Sequence, residues 1–189
     1  MNPNEVIVNS NGAVAEIIRC VNFSAVKHKN QRRKDPEKTP YINHPIGVAN
    51  ILTQEAGIID LQVIQAALLH DTVEDTDTTY EELVTEFGKD VADLVMEVTD
   101  DKSLPKEERK KQQIVHSSVT SHKAKLVKLA DKLYNLRDLK RATPRGWTED
   151  RVYEYFQWAA DVVRGMRGTN KALEDSLNVL FEERNISFL

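Results

Sequence analysis

Apolar residues recur at helical rather than strand spacing from one end of the chain to the other. Val14, Ile17, Ile18, Val21 and Ala25 keep a three- and four-residue rhythm, which predicts an amphipathic helix from Ala13 to about Lys29. Residues 1–11 before it are polar and read as a flexible tail. A basic stretch from Lys27 to Lys34 then meets Asp35-Pro36 and Thr39-Pro40, and the prolines turn it into a loop. Pro45 suits the first position of a helix and keeps His44 out of the α region, so His44 stands at a helix mouth. Ile46, Val48, Ala49, Ile51 and Leu52 form the buried side of that helix, which stops near Gly57. Asp60 can cap the next one, an apolar run through Ala66, Ala67, Leu68 and Leu69 that continues without a break into His70, Asp71, Glu74 and Asp75.

Thr79 with Glu82 has the form of a capping box, and the helix it opens ends at Phe87-Gly88. Lys89 to about Val98 gives a further short helix. Thr99 to about His116 is charged and partly helical, with few apolar anchors, so it is expected to be the most exposed and mobile part of the molecule. From about Ser121 to Lys140, Leu126, Val127, Leu129, Ala130, Leu133, Leu136 and Leu139 predict another strongly apolar helix, with Asp131 inside it. Thr143 to Trp147 is a turn, Thr148 caps a helix to about Met166, and Gly168 separates it from a last helix ending near Arg184. Strand-like alternation, internal repeats and low-complexity segments are absent from the sequence. The pattern therefore predicts an all-α, single-domain protein.

Composition narrows this further. A chain of 189 residues that is 40% hydrophobic has enough apolar material for one globular domain or at most two small ones. Its net charge of -4 argues against a general nucleic-acid binder or a membrane-surface protein, while leaving room for local basic patches. The single cysteine, Cys20, cannot form an internal disulfide and sits in an apolar helical pattern, which reads as a buried inert thiol. No run of about 18 apolar residues occurs, and Met-Asn-Pro-Asn-Glu lacks the layout of a signal peptide. The expectation is a soluble protein of the cytosol or nucleus, here taken as cytoplasmic.

One stretch does not fit a purely structural helix. At roughly 100° per residue, His70 and Glu74 are neighbours, as are Asp71 and Asp75, so an imidazole and three carboxylates share one face. Like charges so placed cost a few tenths of a kcal/mol per pair when solvated, and more where water is scarce. A divalent cation removes that cost. Alone, His44 reads as structural, and Asp131 and Asn135 read as surface positions salt-bridged to Lys128 or Lys132. Together, His44, His70, Asp71 and Asp131 form a two-imidazole, two-carboxylate set that suits Mn²⁺, Fe²⁺, Co²⁺ or Zn²⁺ with positions left open. Without thiol ligands, a closed structural zinc site is disfavoured.

Through His44, the His70-Asp71 doublet and Asp131, the chain resembles the HD superfamily of metal-dependent phosphohydrolases. More narrowly, Tyr41-Ile-Asn-His-Pro, the stretch from Ala66 to Thr76 (Ala-Ala-Leu-Leu-His-Asp-Thr-Val-Glu-Asp-Thr) and Val127-Lys-Leu-Ala-Asp-Lys-Leu-Tyr-Asn-Leu-Arg resemble the hydrolase domain of the RelA/SpoT family. The Arg32-Arg-Lys-Asp-Pro loop, Thr99-Asp-Asp-Lys and Gly146-Trp147 resemble its small, hydrolase-only animal branch, the metazoan SpoT homologues. The similarity covers residues 12–185, which are accordingly expected to form one HD-type helical bundle.

That resemblance implies removal of the 3′-pyrophosphate from guanosine 3′,5′-bis(diphosphate), ppGpp, or its pentaphosphate form, with Mn²⁺ as the usual metal. It assigns the ion to His44, His70, Asp71 and Asp131, and the orientation or activation of the attacking water to Glu74 and Asp75. It matches Arg33 and Lys34 to residues that hold the base and ribose side, and Asn135 to one that contacts the nucleotide. Which of Glu74 and Asp75 activates the water stays open at the level of sequence.

Elementary electrostatics supports the basic positions independently, because a polyanionic substrate near an acidic cluster needs cations. Lys102 and Lys106 are further candidates for phosphate contact. Arg151 and Tyr155, one helical turn apart, either close over the nucleotide or form a surface cation–aromatic pair. Two other readings stand beside the first. One is a metallophosphatase acting on another nucleotide with a 2′- or 3′-ribose phosphate, such as NADPH; the other is a non-catalytic nucleotide-sensing scaffold. The expected partner is a nucleotide, not nucleic acid or membrane, and oligomeric state is left open.

Overall fold

The computed structural model describes the backbone of residues 3–187 and the side chains of residues 12–187. Two helices carry the core, α3 (Leu61–Leu69) and α8 (His122–Arg141), and they pack on each other. Every residue of α3 from Val63 to Leu69 is buried, as are Leu126, Val127, Leu129, Ala130, Leu133 and Leu136 along α8. Around this pair, α1 (Pro3–Lys27) packs on α3, α2 (Asn43–Asn50) on both α3 and α8, and α6 (Lys89–Val98) on both as well. The bundle is completed by α5 (Tyr80–Phe87) against α6, α9 (Glu149–Arg164) against α8, and α10 (Lys171–Glu182) against α8. Among the described residues there is no β-strand. A single antiparallel bridge, Arg32 to Pro40, closes the basic loop between α1 and α2. The expected all-α architecture is the observed one.

Helix ends follow from local chemistry. Side-chain oxygens of Asp60, Thr79, Ser121, Thr148 and Asn170 accept backbone N–H bonds at the starts of α3, α5, α8, α9 and α10, each cap worth about 1 kcal/mol. The capping box expected at Thr79 is realised on one side. Thr79 Oγ1 accepts from the Glu82 N–H at 3.2 Å, while the Glu82 carboxylate is engaged by Lys27 Nζ at 2.9 Å, because α1 ends beside it.

Three expectations change. His44 lies inside α2, which starts at Asn43, and Pro45 takes the third helical position, where its missing N–H still costs no intrahelical bond. The first helix begins at Pro3, so most of the stretch expected to be a flexible tail is helical in backbone. Once a helix is nucleated, each further residue adds a hydrogen bond at little cost, and Pro suits its first turn. The helix carrying His44 ends as α2 at Asn50, and residues Ile51–Glu55 continue in a wider turn in which the Ala56 N–H reaches the Ile51 carbonyl at 3.1 Å. Gly57, at φ +67°, then reverses the chain. The charged segment is partly helical as expected: residues Lys106–His116 form α7, which has no buried residue and is tied to α9 by a bond from Trp158 Nε1 to the Lys110 carbonyl at 3.1 Å.

One close approach positions the site. A Cβ added to Gly47 would lie 2.0 Å from Tyr134 Cε2, so α2 touches α8 at a distance only glycine allows. This brings His44, on α2, over Asp131 on α8.

Candidate active site

The helix that carries the acidic cluster is not continuous. α3 ends at Leu69, His70 and Asp71 form a turn, and α4 (Thr72–Asp75) restarts the chain in a new direction. Asp71 sits at φ -96°, ψ -3°, in the bridge region favoured by many active-site residues. Local side chains cause the break by competing for backbone carbonyls: His70 Nδ1 bonds the Ala67 carbonyl at 2.8 Å, and Thr72 Oγ1 donates to the Leu69 carbonyl at 2.7 Å. The single shared face expected for the four side chains is therefore split. His70 and Asp71 turn inward to His44 and Asp131, whereas Glu74 and Asp75 face the 100–109 segment and the basic loop.

At the inner cluster, ligand atoms of His44, His70 and Asp131 all lie within 4.8 Å of one another. His44 Nε2 is 3.2 Å from His70 Nε2 and 3.1 Å from Asp131 Oδ1, and Asp71 Oδ2 is 3.1 Å from His70 Nε2 and 3.4 Å from His44 Nε2. Both imidazoles are buried. Burial opposes every charge here. Even so, Asp71 and Asp131 hold the His70 imidazole well above its ordinary value. Both carboxyls lie well below theirs: the positive charge of His70 outweighs burial at Asp71, and that of Lys132 does so at Asp131, with bonds from His44 and His70 adding to both. The cluster demands positive charge at its centre.

A divalent cation fits that demand. Since His70 Nδ1 must donate to the Ala67 carbonyl, its proton is fixed there, and in the neutral ring the Nε2 lone pair faces the cluster. The carboxylates are oriented from behind as metal ligands usually are: Tyr41 Oη donates to Asp71 Oδ2 at 2.6 Å, Asn135 Nδ2 to Asp131 Oδ1 at 2.7 Å, and Lys132 Nζ to Asp131 Oδ2 at 3.1 Å.

Glu74 and Asp75 differ in environment. Burial first, then the charges of Asp100, Asp71 and Asp75, push the Glu74 carboxyl up to about 7. Its neighbours are weakly engaged, the Asp100 N–H at 3.4 Å and Arg109 Nη1 at 3.6 Å. Asp75 is held on both oxygens, by Lys102 Nζ at Oδ1 and by Gln31 Nε2 at 2.9 Å at Oδ2.

Two adjoining cavities open beside these carboxylates. The first, about 430 Å³, is lined by Arg33, Lys34, Tyr41, Asp75, Asn135, Trp147 and Tyr155 among others. The second, about 710 Å³, shares Lys34, Trp147 and Tyr155 with it and adds Lys106, Arg109, Lys110, Arg151 and Trp158. Arg33 is braced rather than free: its Nη2 donates to Asn135 Oδ1 at 2.7 Å and to Asp138 Oδ2 at 2.9 Å, and its guanidinium lies over the Tyr41 and Tyr134 rings. Arg151 stacks on Trp147 at 4.3 Å rather than on Tyr155, whose ring packs between Trp147 and Trp158. Burial pushes the Tyr155 hydroxyl up to about 12, against the nearby positive charge of Lys132.

His44, His70, Asp71 and Asp131 fall at the cluster, Arg33, Lys34, Asp75, Lys106, Asn135, Arg151 and Tyr155 line the two cavities, and Glu74 and Lys102 line neither. Asn135 and Asp131 are not surface positions, and Asn135 orients a candidate ligand as well as lining the first cavity. Sequence reasoning missed the bracing roles of Tyr41, Gln31 and Asp138, while the ion pair of Lys132 with Asp131 is one it offered. It also passed over Arg109 and Trp158. Lys132 carried a signal, a lysine at an apolar helical position, and it is buried with its ammonium 4.9 Å from the Trp158 ring centroid.

Comparison with known proteins agrees with this architecture. The HD domain family profile matches residues 20–155. A protein of Xenopus tropicalis, guanosine-3′,5′-bis(diphosphate) 3′-pyrophosphohydrolase MESH1, is 65% identical over 173 residues, covering 92% of this chain and 97% of the relative. The Homo sapiens protein of the same name is 63% identical with the same coverage. A solved structure, described as a metazoan orthologue of SpoT that hydrolyses ppGpp, superposes with a TM-score of 0.90 at 54% identity, covering 92% of this chain and 97% of that one. Among the described residues no helix is long and apolar enough to cross a membrane. With its inner cluster, its helical frame and these relatives in agreement, the chain belongs to the HD domain family and, within it, to the metazoan SpoT homologues.

Proposed function

We infer that this chain is a guanosine-3′,5′-bis(diphosphate) 3′-pyrophosphohydrolase, acting on ppGpp and its pentaphosphate form. The relatives named for that activity are similar over nearly the whole chain. The observation that carries the chemistry is the position of Asp75, Tyr41 and Asn135. They line the first cavity together with Arg33 and Lys34, and Tyr41 and Asn135 also bond the inner Asp71 and Asp131. A polyanion in that cavity meets cations on one side and the His/Asp cluster on the other.

We assign a divalent ion to His44, His70, Asp71 and Asp131, Mn²⁺ as the family resemblance implies; Zn²⁺, Fe²⁺ and Co²⁺ suit the same donors. Bound there, the ion acidifies water and withdraws charge from phosphoryl oxygens. Glu74, with its carboxyl near neutrality, is the better matched base and takes the proton of the attacking water. Asp75, held on both oxygens, aims that water. A new bond forms from the water oxygen to the phosphorus on the ribose 3′-oxygen, the bond to that oxygen breaks, the proton taken by Glu74 passes to the departing 3′-oxygen, and pyrophosphate leaves GDP behind, or GTP from the pentaphosphate form. Arg33 and Asn135 hold the nucleoside side, and Lys34, Lys106 and Arg151 meet its phosphates, with Tyr155 between the two cavities. We take residues 12–185 as the catalytic unit and the cytoplasm as its location, both as the family resemblance implies.

The second cavity favours one further test substrate. Its aromatic wall of Trp147, Tyr155 and Trp158 can face a second ring, so a dinucleotide with a 2′-phosphate, NADPH, is a reasonable competitor. Purified protein with Mn²⁺ is offered ppGpp and NADPH separately and the products are identified. Pyrophosphate and GDP from ppGpp support the assignment. Orthophosphate from NADPH alone replaces it with the phosphatase reading, and no product from either favours a non-catalytic sensor.

A further inference from the structure

His28 is a buried titratable residue that the chemistry above does not use. It follows the last turn of α1, with its N–H on the Ser24 carbonyl at 2.9 Å, and it is only 2% exposed. Its Nδ1 lies 2.7 Å from Gln31 Oε1, and Gln31 Nε2 in turn lies 2.9 Å from Asp75 Oδ2. Its ring packs against that of Tyr41, centroids 4.9 Å apart, the tyrosine whose hydroxyl holds Asp71.

The direction of these bonds is fixed by chemistry. An ionised Asp75 only accepts, so Gln31 must turn its amide nitrogen to the carboxylate and its oxygen to His28. That oxygen also only accepts, so His28 must carry its proton on Nδ1. The other ring nitrogen, Nε2, is buried without a partner, which is tolerable for a bare lone pair and costly for an N–H. Burial keeps the ring neutral, lowering its proton affinity against the pull of nearby carboxylates. A flipped Gln31 would face its oxygen to the Asp75 carboxylate, losing that bond, and would force the His28 proton onto the unpartnered Nε2.

We propose that His28 and Gln31 are positioning residues that act in series, His28 fixing the Gln31 amide and Gln31 fixing the Asp75 carboxylate toward the attacking water. This rests on Asp75 acting as assigned above. The other hold on Asp75 comes from Lys102, whose side chain is 47% exposed, and exposed pairs constrain geometry weakly. The Gln31 bond to Asp75 also lies where water reaches it, but Gln31 is braced from behind by a buried residue, His28, so this relay sets the angle of the carboxylate.

The test compares Gln31→Leu, His28→Leu, the double variant and His28→Asn with the unaltered protein, all loaded with Mn²⁺ and assayed for pyrophosphate release from ppGpp. Gln31 is only partly buried, so its variant keeps the fold if His28→Leu does not, and melting curves report this for each. Gln31→Leu is expected to lower kcat at least tenfold with KM within about twofold. His28→Leu should do the same, and the double variant should be no worse than Gln31→Leu, because links in one series are lost once. His28→Asn, whose amide nitrogen can stand where Nδ1 stood, should recover most of the loss. Nitrogen-15 NMR should find His28 as the neutral Nδ1–H tautomer. Unchanged kcat in Gln31→Leu, additive losses, or an Nε2–H tautomer overturns the relay while leaving the hydrolase assignment intact. An inactive unaltered protein overturns both.

Discussion

At the scale of single residues, Glu74 carries the sharpest consequence. Burial and the surrounding carboxylates raise its carboxyl to about 7 from an ordinary value of 4.5. As a base it must be ionised, so kcat/KM is expected to fall about tenfold per pH unit below about pH 7. Glu74→Gln should remove that limb and cost about 10²- to 10⁴-fold in rate. The same shift has a sign in stability. Between the ordinary and the folded value the folded state keeps a proton that the unfolded chain releases, so its contribution to stability falls as pH rises through that window. In chelated protein the difference between unaltered enzyme and Glu74→Gln, read from urea midpoints at pH 5 and pH 8, should show that fall; a difference that does not change with pH contradicts it. His44, His70, Asp71 and Asp131 were legible as a donor set because few structural helices place such residues together. The hydrogen bonds behind them were not. Asn135 and Lys132 look like solvated polar residues until the fold brings both onto Asp131 and buries Lys132 there.

At the scale of elements, helical periodicity was readable almost throughout, since an apolar stripe records which face is buried. It was silent where side chains compete with backbone N–H groups for carbonyls, His70 at Ala67 and Thr72 at Leu69, and so the turn at His70 and Asp71 between α3 and α4 did not show. That turn separates the inner cluster from Glu74 and Asp75. The contact of α2 with α8 is the other decisive element, and Gly47 controls it. In Gly47→Ala the new Cβ falls 2.0 Å from Tyr134, a ring already packed edge-on to His44 and therefore unable to swing away freely. The variant should lose about 1–3 kcal/mol of stability by overpacking. Because α2 must shift, it should also bind metal more weakly, measured by Mn²⁺ titration alongside thermal melting. Equal metal affinity would show that His44 does not depend on this contact.

At the scale of the whole molecule, the cavities arise from segments far apart in sequence: the basic loop, the end of α8 with the following turn, and α9. Each contributes residues that look ordinary alone, such as Trp147 and Asp138. Their meeting is a property of tertiary packing and could be anticipated only through the family resemblance. The account joins them in one claim, that a single divalent ion at His44, His70, Asp71 and Asp131 serves the adjoining nucleotide cavity. The most direct test strips the protein of metal, titrates Mn²⁺ back and follows pyrophosphate release from ppGpp. Release that is absent at the start and saturates near one equivalent of Mn²⁺ per chain, with Asp131→Ala giving neither tight binding nor turnover, is the expected result. Full turnover in the presence of chelator, or none with the ion bound, would contradict the claim.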